Sequence, residues 1–395
     1  MQKSNGRITP QTERKIVLIY FDNSATTFPK PSGVLQGVVD GIREYGGNPG
    51  RSGHRLSLKT AEKVFSVRSD IADFFKAEAE NVIFTLNATH ALNLAIKGIM
   101  SDGGHIIFSS LEHNSVSRPI VALSDERKCD YSIAKVFSDD GQTLKEFEKQ
   151  IRPDTKCICC TVASNVTGQI LPYQKIGELC KSRGICFIGD CAQGAGVLQV
   201  SLDDGFNFIC TAGHKGLYGP TGTGLLISDG KYQLKTIIEG GTGATSGELI
   251  QTEFLPERLE SGTINVCGII GLGRGIEFVK KVTPKRIFSH ESLLCQKFIG
   301  KLSADKNIKI YRNGENFVPI VAFNLKNQHS EEVARKLSDA GFALRGGLQC
   351  AAVAHSFLGT TEQGVVRFSP SYFNTQSQVD KLCEVILKIS KGTKV

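Results

Sequence analysis

The sequence predicts an α/β protein with a mainly parallel β-sheet, helices on both faces and a smaller α+β domain at the C-terminal end. The first observation is the alternation of short apolar runs with amphipathic helical patterns up to about residue 280. Such alternation is typical of parallel sheets whose crossover helices cover both faces. The second observation is the change after residue 280, where charged amphipathic helices flank a few short strands. A chain of 395 residues is also long enough for two domains.

The periodicity of apolar residues places the elements in order along the chain. The first part has predicted strands at residues 16–21, 82–84, 105–108, 157–162, 185–188 and 206–210. Its predicted helices follow Pro31 and cover residues 59–76, 87–96 and 174–181. The last part has predicted helices at 290–302, 331–340 and 376–389 and predicted strands at 308–311, 318–325 and 364–369. We expect an N-terminal segment (1–30) that packs with the small domain, a large domain (31–280) and a small domain (281–395).

Composition and charge argue against several classes of function. The net charge of +8 comes from lysines scattered along the chain, without the basic cluster expected of a nucleic-acid-binding protein. No apolar stretch is long enough to span a membrane, and the polar first residues do not resemble a secretory signal. Twelve cysteines therefore indicate free thiols in the cytoplasm. Residues 157–160 contain three of these cysteines but lack a second ligand pair, so we interpret them as core and expect no metal site.

The most informative stretch is GFNFICTAGHKGLYGPTGTG, residues 205–224. An apolar run ends just before His214 and Lys215, and a loop rich in glycine follows them. A lysine between a strand end and a glycine-rich turn cannot extend along a helix surface into water. Partial desolvation would lower the pKa of its amine and allow a Schiff base with a carbonyl group.

Polar residues follow several of the apolar runs, at the point where each run ends. They are His113, Asn165, Asp190, Gln193 and Lys215. In open α/β sheets, ligand sites collect at the carboxyl ends of the strands. We therefore expect these five residues to line one cleft.

Ten distinctive motifs follow one another between Tyr20 and the region near Val395. They are FDNSATT (21–27), GHRLS (53–57), NATHALNLA (87–95), LEHNS (111–115), SNVTGQILP (164–172), GDCAQGAG (189–196), TAGHKGLYGPTGTG (211–224), ERLESGT (257–263), RGGLQCA (345–351) and VRFSPSYFNT (366–375). With these motifs the chain resembles the pyridoxal phosphate (PLP)-dependent enzymes of the class V aminotransferase family, in the branch of the cysteine desulfurases and selenocysteine lyases. The resemblance implies PLP-dependent transferase fold type I, with a seven-stranded sheet.

The resemblance implies PLP as the cofactor and gives several residues a role. Lys215 is implied to bind the cofactor covalently and to move the Cα proton of the substrate. Asp190 is implied to keep the pyridine nitrogen protonated, and His113 to lie over the ring. Gln193 and Asn165 are implied to contact the phenolic oxygen or the substrate.

The cofactor phosphate has implied donors at Thr89 and His214. Ala88 and Ala212 occupy positions where relatives often carry hydroxyl residues, so two donors are absent, although Ala88 remains an expected cofactor contact. Thr242 is implied to reach the phosphate bound by a neighbouring subunit. The resemblance therefore implies a homodimer.

Substrate recognition and sulfur chemistry are implied for the remaining site residues. Arg367 is expected to pair with the substrate carboxylate, for which a planar guanidinium is well suited. Arg345 and His54 are further expected substrate contacts. Cys350 is the expected nucleophile, because a cysteine in a loop next to an arginine lies where thiolate is favoured.

The implied reaction removes sulfur from L-cysteine and gives L-alanine and a Cys350 persulfide, from which a protein acceptor takes the sulfur, as in iron–sulfur cluster assembly. Three alternatives remain open: a selenocysteine lyase acting on L-selenocysteine, a class V aminotransferase or lyase that does not use Cys350, and a non-catalytic PLP-binding scaffold. One departure concerns Leu348 and Gln349, because related enzymes with a short cysteine loop often carry a histidine just before the nucleophile. Neither residue can titrate.

Overall fold

A computed structural model describes residues 18–50, 53–243, 247–312 and 316–393 of the chain. Its main sheet has seven strands in the order β2-β8-β7-β6-β5-β3-β4. The strands of this sheet are β2 (Val82–Thr85), β3 (His105–Ser109), β4 (Asp130–Ala134), β5 (Thr155–Thr161), β6 (Cys186–Asp190), β7 (Phe208–Ala212) and β8 (Gly224–Ser228). All pairings are parallel except those of β8 with β7 and β2. The predicted mainly parallel sheet is confirmed.

Helices cover both faces of this sheet, as the sequence predicts. Those of the first part of the chain are α1 (Ser32–Glu44), α2 (Arg55–Phe75), α3 (Ala88–Ile99), α4 (Asn114–Asp125), α5 (Asp140–Gln150), α6 (Tyr173–Arg183) and α7 (Val266–Val282). Residues of α3 and α4 pack on one face, and residues of α2, α5, α6 and α7 pack on the other. Helix α1 lies outside this layer and packs against α7.

Strand β5 shows how cysteine serves as a core residue here. Cys157 and Cys159 face the side covered by α3 and α4, whereas Ile158 and Cys160 face the opposite side. This is the alternation that a strand buried on both faces requires. All four side chains are fully buried, and the described residues contain no cluster of His, Cys, Asp or Glu that could hold a metal ion.

The last part of the chain forms a smaller α+β unit around its own core. Its elements are α8 (Pro284–Leu302), β9 (Ile308–Ile310), β10 (Val321–Leu325), α9 (Ser330–Asp339), β11 (Phe342–Ala343), α10 (Ala352–Leu358), β12 (Val366–Phe368) and α11 (Gln376–Ser390). An antiparallel sheet in the order β12-β10-β9 packs against α8, α9 and α11.

Several predicted boundaries are wrong, for local reasons. The strand predicted at 318–325 begins only at Val321, because Pro319 has no backbone N–H for a ladder. The strand predicted at 364–369 is shortened to β12, since Gly364 has a positive φ of 61°. The helix predicted from residue 59 begins at Arg55, because the His54 ring accepts a hydrogen bond from the backbone N–H of Ser57 and caps the helix.

The described part of the N-terminal segment contacts the smaller unit. Strand β1 (Ile19–Tyr20) pairs in parallel with β11, and Phe21 is buried in the core formed by α8, α9 and α11. Residues 16 and 17 of the predicted first strand lie outside the described residues. The division of the chain at residues 30 and 280 stays a prediction. In the part of the chain that the structure describes, no helix is long and apolar enough to cross a membrane.

Glu291 of α8 provides a test of the interface between the two units. Its carboxylate is buried and accepts a hydrogen bond from Tyr218 Oη at 3.1 Å. Burial raises the pKa of Glu291 from 4.5 to about 8. The folded protein therefore retains a proton that the unfolded chain releases, so this group makes stability fall as the pH rises from about 4.5 to about 8.

Glu291→Gln keeps an acceptor for Tyr218 and removes the charge. We expect its melting temperature to exceed that of the wild type at pH 9 and to match it at pH 4, because the ionisation penalty operates only at the higher pH. Differential scanning calorimetry at both pH values measures the difference. The matched control is Glu384→Gln on the exposed face of α11, which we expect to show no gain at pH 9. An equal effect of the two substitutions would contradict the argument.

Candidate active site

A cavity of about 300 Å³ opens where β5, β6 and β7 end. It is lined by Ser24, Ala25, Asn87, Ala88, Thr89, His113, Ser115, Thr161, Asn165, Asp190, Ala192, Gln193, Ala212, His214, Lys215, Arg345, Gln349 and Arg367. The five polar residues that the sequence places after apolar runs all lie in this lining. The lining also takes residues from the N-terminal segment and from both units of the chain, so the cavity lies between them.

Lys215 lies three residues after β7, in a turn held by its neighbours. The carbonyl oxygen of His214 accepts hydrogen bonds from Thr27 N at 3.0 Å and from Lys30 Nζ at 2.8 Å. A Cβ added to Gly196 would lie 2.1 Å from the Gly216 carbonyl oxygen, so only glycine allows these two loops to touch. The turn thereby directs the lysine side chain into the cavity that it lines.

Burial lowers the pKa of Lys215 from 10.5 to about 8. The nearby carboxylate of Asp190 opposes this shift, and the guanidinium groups of Arg367 and Arg345 add to it. The amine is therefore substantially neutral at a pH where an ordinary lysine is an ammonium ion. A neutral amine in a cavity can act as a nucleophile or as a base.

Asp190 is the last residue of β6 and does not lie beyond its end. Its Oδ1 accepts a hydrogen bond from Ala192 N at 3.0 Å, and burial raises the pKa of the carboxyl group. Among the described residues that line the cavity, Asp190 is the only acidic one. A cationic nitrogen in the cavity would therefore meet its counter-charge here.

His113 caps the N-terminus of α4 with its ring. Nδ1 accepts a hydrogen bond from Ser115 N at 3.0 Å and also contacts the Ser115 hydroxyl group. In the neutral ring the proton therefore lies on Nε2. Burial, with Lys215 and Arg345 nearby, lowers the pKa of His113 to about 4, so the ring is neutral near pH 7.

The N-terminus of α3 meets the cavity at its other end. Asn87 caps this helix by accepting a hydrogen bond from His90 N at 2.9 Å, and Thr89 lies in the first turn. A Cβ added to Gly224 would lie 2.5 Å from the Asn87 carbonyl carbon, so glycine lets β8 approach the start of the helix. His214 Nδ1 is buried and has no partner among the described residues. Free backbone N–H groups, a hydroxyl and an unpaired ring nitrogen form a suitable site for an anion.

Three alanines form an apolar wall in the same cavity. Ala88, Ala192 and Ala212 are buried and pack together as one cluster. Ala88 and Ala212 are the two positions where hydroxyl groups were expected from the resemblance. The wall replaces two donors with apolar surface, against which a flat ring can pack.

Arg367 and Asn165 link the cavity to the cysteine loop. Arg367 Nη1 donates to the Asn165 carbonyl oxygen at 3.0 Å, and Nη2 donates to Asp22 Oδ1 at 2.7 Å. Asn165 Nδ2 donates to the Gln349 carbonyl oxygen at 2.8 Å. Asn165 Oδ1 is buried without a partner among the described residues, so it remains available to a ligand.

Cys350 lies at the edge of this site in a backbone held on several sides. Its Sγ is 3.5 Å from Arg345 Nη2, and its carbonyl oxygen accepts a hydrogen bond from Asn114 N at 2.8 Å. Gln349 and Cys350 have positive φ angles of 42° and 55°. Such angles are unusual for residues other than glycine and persist only where the surroundings impose them.

The side chain of Gln349 supplies much of that constraint. Its Nε2 donates to the carbonyl oxygens of Arg345 at 3.2 Å and Val365 at 3.0 Å. Its Oε1 lies 3.2 Å from His355 Nε2, and His355 Nδ1 contacts the Thr360 hydroxyl group. Gln349 therefore fixes the loop by hydrogen bonds in the position where a titrating histidine was expected.

Three predicted site residues lie outside the cavity lining. Cys350 is exposed beside it, next to Arg345. His54 is exposed and caps α2. Thr242 lies beside Gly50 and does not line the cavity.

Other residues of the site escape sequence reasoning. Glu112 is buried behind Asp190, where its Oε1 accepts a hydrogen bond from Thr161 N at 2.8 Å. Burial raises the pKa of Glu112 to about 8. The LEHNS motif indicates a role for the neighbouring His113, but no local pattern shows that the side chain of Glu112 is buried. Asp22 in FDNSATT was similarly hidden among turn residues.

Comparison with known proteins agrees with the fold. The model of the family "Aminotransferase class-V" matches residues 19–382. A probable cysteine desulfurase of Methanothermobacter thermautotrophicus is 30% identical over 94% of this chain and 94% of that protein. A probable cysteine desulfurase of Borreliella burgdorferi is 31% identical over 95% of this chain and 92% of that protein.

A solved structure gives the same result in three dimensions. The apo structure of a cysteine desulfurase from Thermococcus onnurineus NA1 superimposes with a TM-score of 0.88 at 30% identity, and covers 95% of each chain. The fold is that of the PLP-dependent transferases of type I, as the motifs implied. The match over most of the chain shows that the protein belongs to the class V aminotransferase family.

Proposed function

We propose that this protein is a PLP-dependent cysteine desulfurase. The observation that carries the proposal is the position of Cys350. All twelve cysteines lie in the described residues, and Cys350 is the one that is exposed, held against Arg345 beside a cavity that contains Lys215. An aminotransferase has no need of a thiol there, whereas a desulfurase needs a sulfur nucleophile within reach of the bound substrate.

The residues of the cavity fit PLP. Lys215 would hold it covalently, Asp190 would face its pyridine nitrogen, and the first turn of α3 with Thr89 and His214 would hold its phosphate. The orphaned His214 Nδ1 is the clearest sign, because a buried polar atom without a partner is rare unless a ligand satisfies it. When bound, PLP supplies an electron sink for the pair of electrons left at the substrate Cα.

The amino-acid substrate would be oriented by Arg367 and Asn165. The buried guanidinium faces the cavity and can bind a carboxylate through its remaining N–H groups, while Asn165 Oδ1 can accept a hydrogen bond. Lys215, with a pKa of about 8, would remove the Cα proton as a neutral amine. The Nε2–H of His113 remains available to a ligand, because Nδ1 accepts the hydrogen bond from Ser115 N.

Cys350 would then take the sulfur. Its thiolate attacks the substrate sulfur, the new S–S bond forms, and the substrate Cβ–S bond breaks with its electron pair remaining on carbon. Cβ takes a proton, Lys215 returns a proton to Cα, and the product leaves as L-alanine, so cysteine and one enzyme thiol become alanine and one enzyme persulfide. Arg345 Nη2, 3.5 Å from Sγ, balances the negative charge of the attacking sulfur.

We also propose that the protein works as a cytoplasmic homodimer that passes sulfur to a protein acceptor. Thr242 does not line the cavity of its own chain, which supports its assignment to the phosphate site of a second subunit. Apolar residues on α1 and α2 that remain exposed in one chain support the same assembly: Leu35, Ile42, Leu58 and Phe65. The exposure of Cys350 would let an acceptor reach the persulfide.

The first prediction concerns Lys215 and the cofactor. The rate of covalent PLP capture should rise with pH around a midpoint near 8, because only the neutral amine reacts. Borohydride fixation followed by peptide mass spectrometry should find the adduct on Lys215, and Lys215→Ala should lack it. Lys30 is the matched control, because burial also lowers its pKa to about 8 but it does not line the cavity. Modification of Lys30 in place of Lys215 would refute the assignment.

The second prediction concerns Cys350. Cys350→Ser should keep the visible cofactor band and bind L-cysteine with nearly unchanged affinity, but its alanine production should fall by about a thousandfold or more. Cys267→Ser is the control, because this thiol is only partly buried and lies on α7, away from the site. Alanine formation is followed with and without a thiol reductant. Full activity of Cys350→Ser would favour an aminotransferase or lyase instead.

The third prediction concerns Gln349. Gln349→Ala removes the hydrogen bonds to Arg345, Val365 and His355, so the loop should lose its fixed conformation. Backbone amides of residues 346–351 should exchange with deuterium about tenfold faster or more, because about 1 kcal/mol is lost for each hydrogen bond. Leu348→Ala is the matched control, since Leu348 is an exposed residue of the same loop. Equal exchange in the two variants would contradict this role.

A further inference from the structure

The guanidinium of Arg367 already has a carboxylate partner before any substrate binds. Asp22 Oδ1 accepts a hydrogen bond from Arg367 Nη2 at 2.7 Å, in an ion pair whose side chains are 2% exposed for the arginine and 20% for the aspartate. Asp22 is not among the residues that line the cavity, although Arg367 is. The aspartate therefore contacts the guanidinium from outside the space that a ligand would enter.

The backbone holds Asp22 in this position. It pairs with Ser369 in an isolated parallel bridge, Ser369 N donates to the Phe21 carbonyl oxygen at 2.9 Å, and Tyr20 Oη donates to the Asp22 carbonyl oxygen at 3.1 Å. The N-terminal segment is thus attached to the residues that follow β12. These contacts hold the backbone of Asp22 beside Arg367.

The remaining N–H groups of Arg367 are still available. Asn165 and Asp22 each occupy one terminal nitrogen, and Nε is buried without a partner among the described residues. A second carboxylate can therefore approach the guanidinium, but it meets a positive charge that Asp22 has largely neutralised. The two carboxylates would also repel each other at short range.

We propose that Asp22 is a built-in counter-ion that limits the affinity of the Arg367 site for amino-acid carboxylates. The inference rests on the proposed role of Arg367 in substrate binding. The counter-ion would lower the affinity for both the substrate and the product, since both carry the same carboxylate. A site with an unpaired buried arginine would bind L-alanine tightly and release it slowly, whereas the paired arginine releases it readily.

The same pair also stabilises the ligand-free protein. Removing one partner of a buried ion pair leaves an uncompensated charge, which is strongly destabilising. A carboxylate ligand would then supply the missing partner. We therefore expect that neutralising Asp22 lowers the stability of the ligand-free protein and raises its affinity for carboxylates. Simple damage to the site would not produce both effects.

The test measures equilibrium binding of L-alanine to the PLP-loaded protein by isothermal titration calorimetry. Asp22→Asn keeps an acceptor for Nη2 but removes the charge, and we expect its dissociation constant to fall by about tenfold. Its melting temperature without ligand should be lower than that of the wild type, and the increase on adding L-alanine should be larger. Asp22→Glu restores the charge and should return the affinity toward the wild-type value.

Two controls separate this effect from others. Tyr20→Phe disturbs the same segment without changing its charge and should leave the alanine affinity unchanged. Ethylamine, an amine without a carboxylate, should bind wild type and Asp22→Asn equally. Unchanged or weaker alanine binding by Asp22→Asn would overturn the proposal. If that variant does not fold, Asp22→Ser takes its place. If neither variant folds, Asp22 is a purely structural residue and the proposal is overturned as well.

The outcomes also distinguish this inference from the proposed function. If the wild-type protein binds no L-alanine, the assignment of Arg367 as the carboxylate site fails. If it binds L-alanine and Asp22→Asn does not change the affinity, only the role of Asp22 fails. Neither result depends on Cys350, because alanine contains no sulfur to transfer.

Discussion

Desolvation of the Lys215 amine is the constraint on which the rest of the site depends. The turn after β7 fixes the lysine between protein layers, and burial brings its pKa down to about 8. A neutral amine needs no permanent counter-ion, so Asp190 remains free to face a cationic group of a ligand. The lowered pKa values of His113 and His214, both about 4, have the same main cause, which is the burial of the two rings. The cavity thus contains two histidines that are neutral near pH 7 and a lysine that loses its proton near pH 8.

The cavity and the cysteine loop form one hydrogen-bonded unit. Asn165 contributes to both, because its carbonyl oxygen holds Arg367 and its amide nitrogen holds the backbone of Gln349. Arg345 lines the cavity and also contacts the sulfur of Cys350. A ligand that binds Arg367 and Asn165 therefore contacts the residues that position the nucleophile. Sulfur transfer gains from this arrangement, since a thiol on an untethered loop would have to find the substrate at an entropic cost.

Much of the fold could be predicted from the sequence, because apolar runs and helical stripes are local signals. The mainly parallel sheet was confirmed on that basis, and the five polar residues that follow apolar runs line one cavity. Strand β4 was missed because most of its residues are exposed and its sequence DYSIA has no apolar run. Helix α7 was missed because its four glycines conceal a stripe that packs closely on α1 and α2. Asp22 and Glu112 contact partners far away in the chain, Arg367 and Thr161, and no local pattern reports such contacts.

The cysteines show how one residue type can serve both as core and as reagent. Burial raises the pKa of the core thiols Cys157, Cys159, Cys160, Cys191 and Cys210 well above the ordinary value. Since the thiolate is the nucleophile, these sulfurs are inert although they lie in, or directly after, the strands that lead to the cavity. Cys350 differs by position alone, on an exposed loop against an arginine. The proposed selectivity for one thiol among twelve therefore follows from its place in the fold. Cys350 is exposed to water and lies against the positive charge of Arg345.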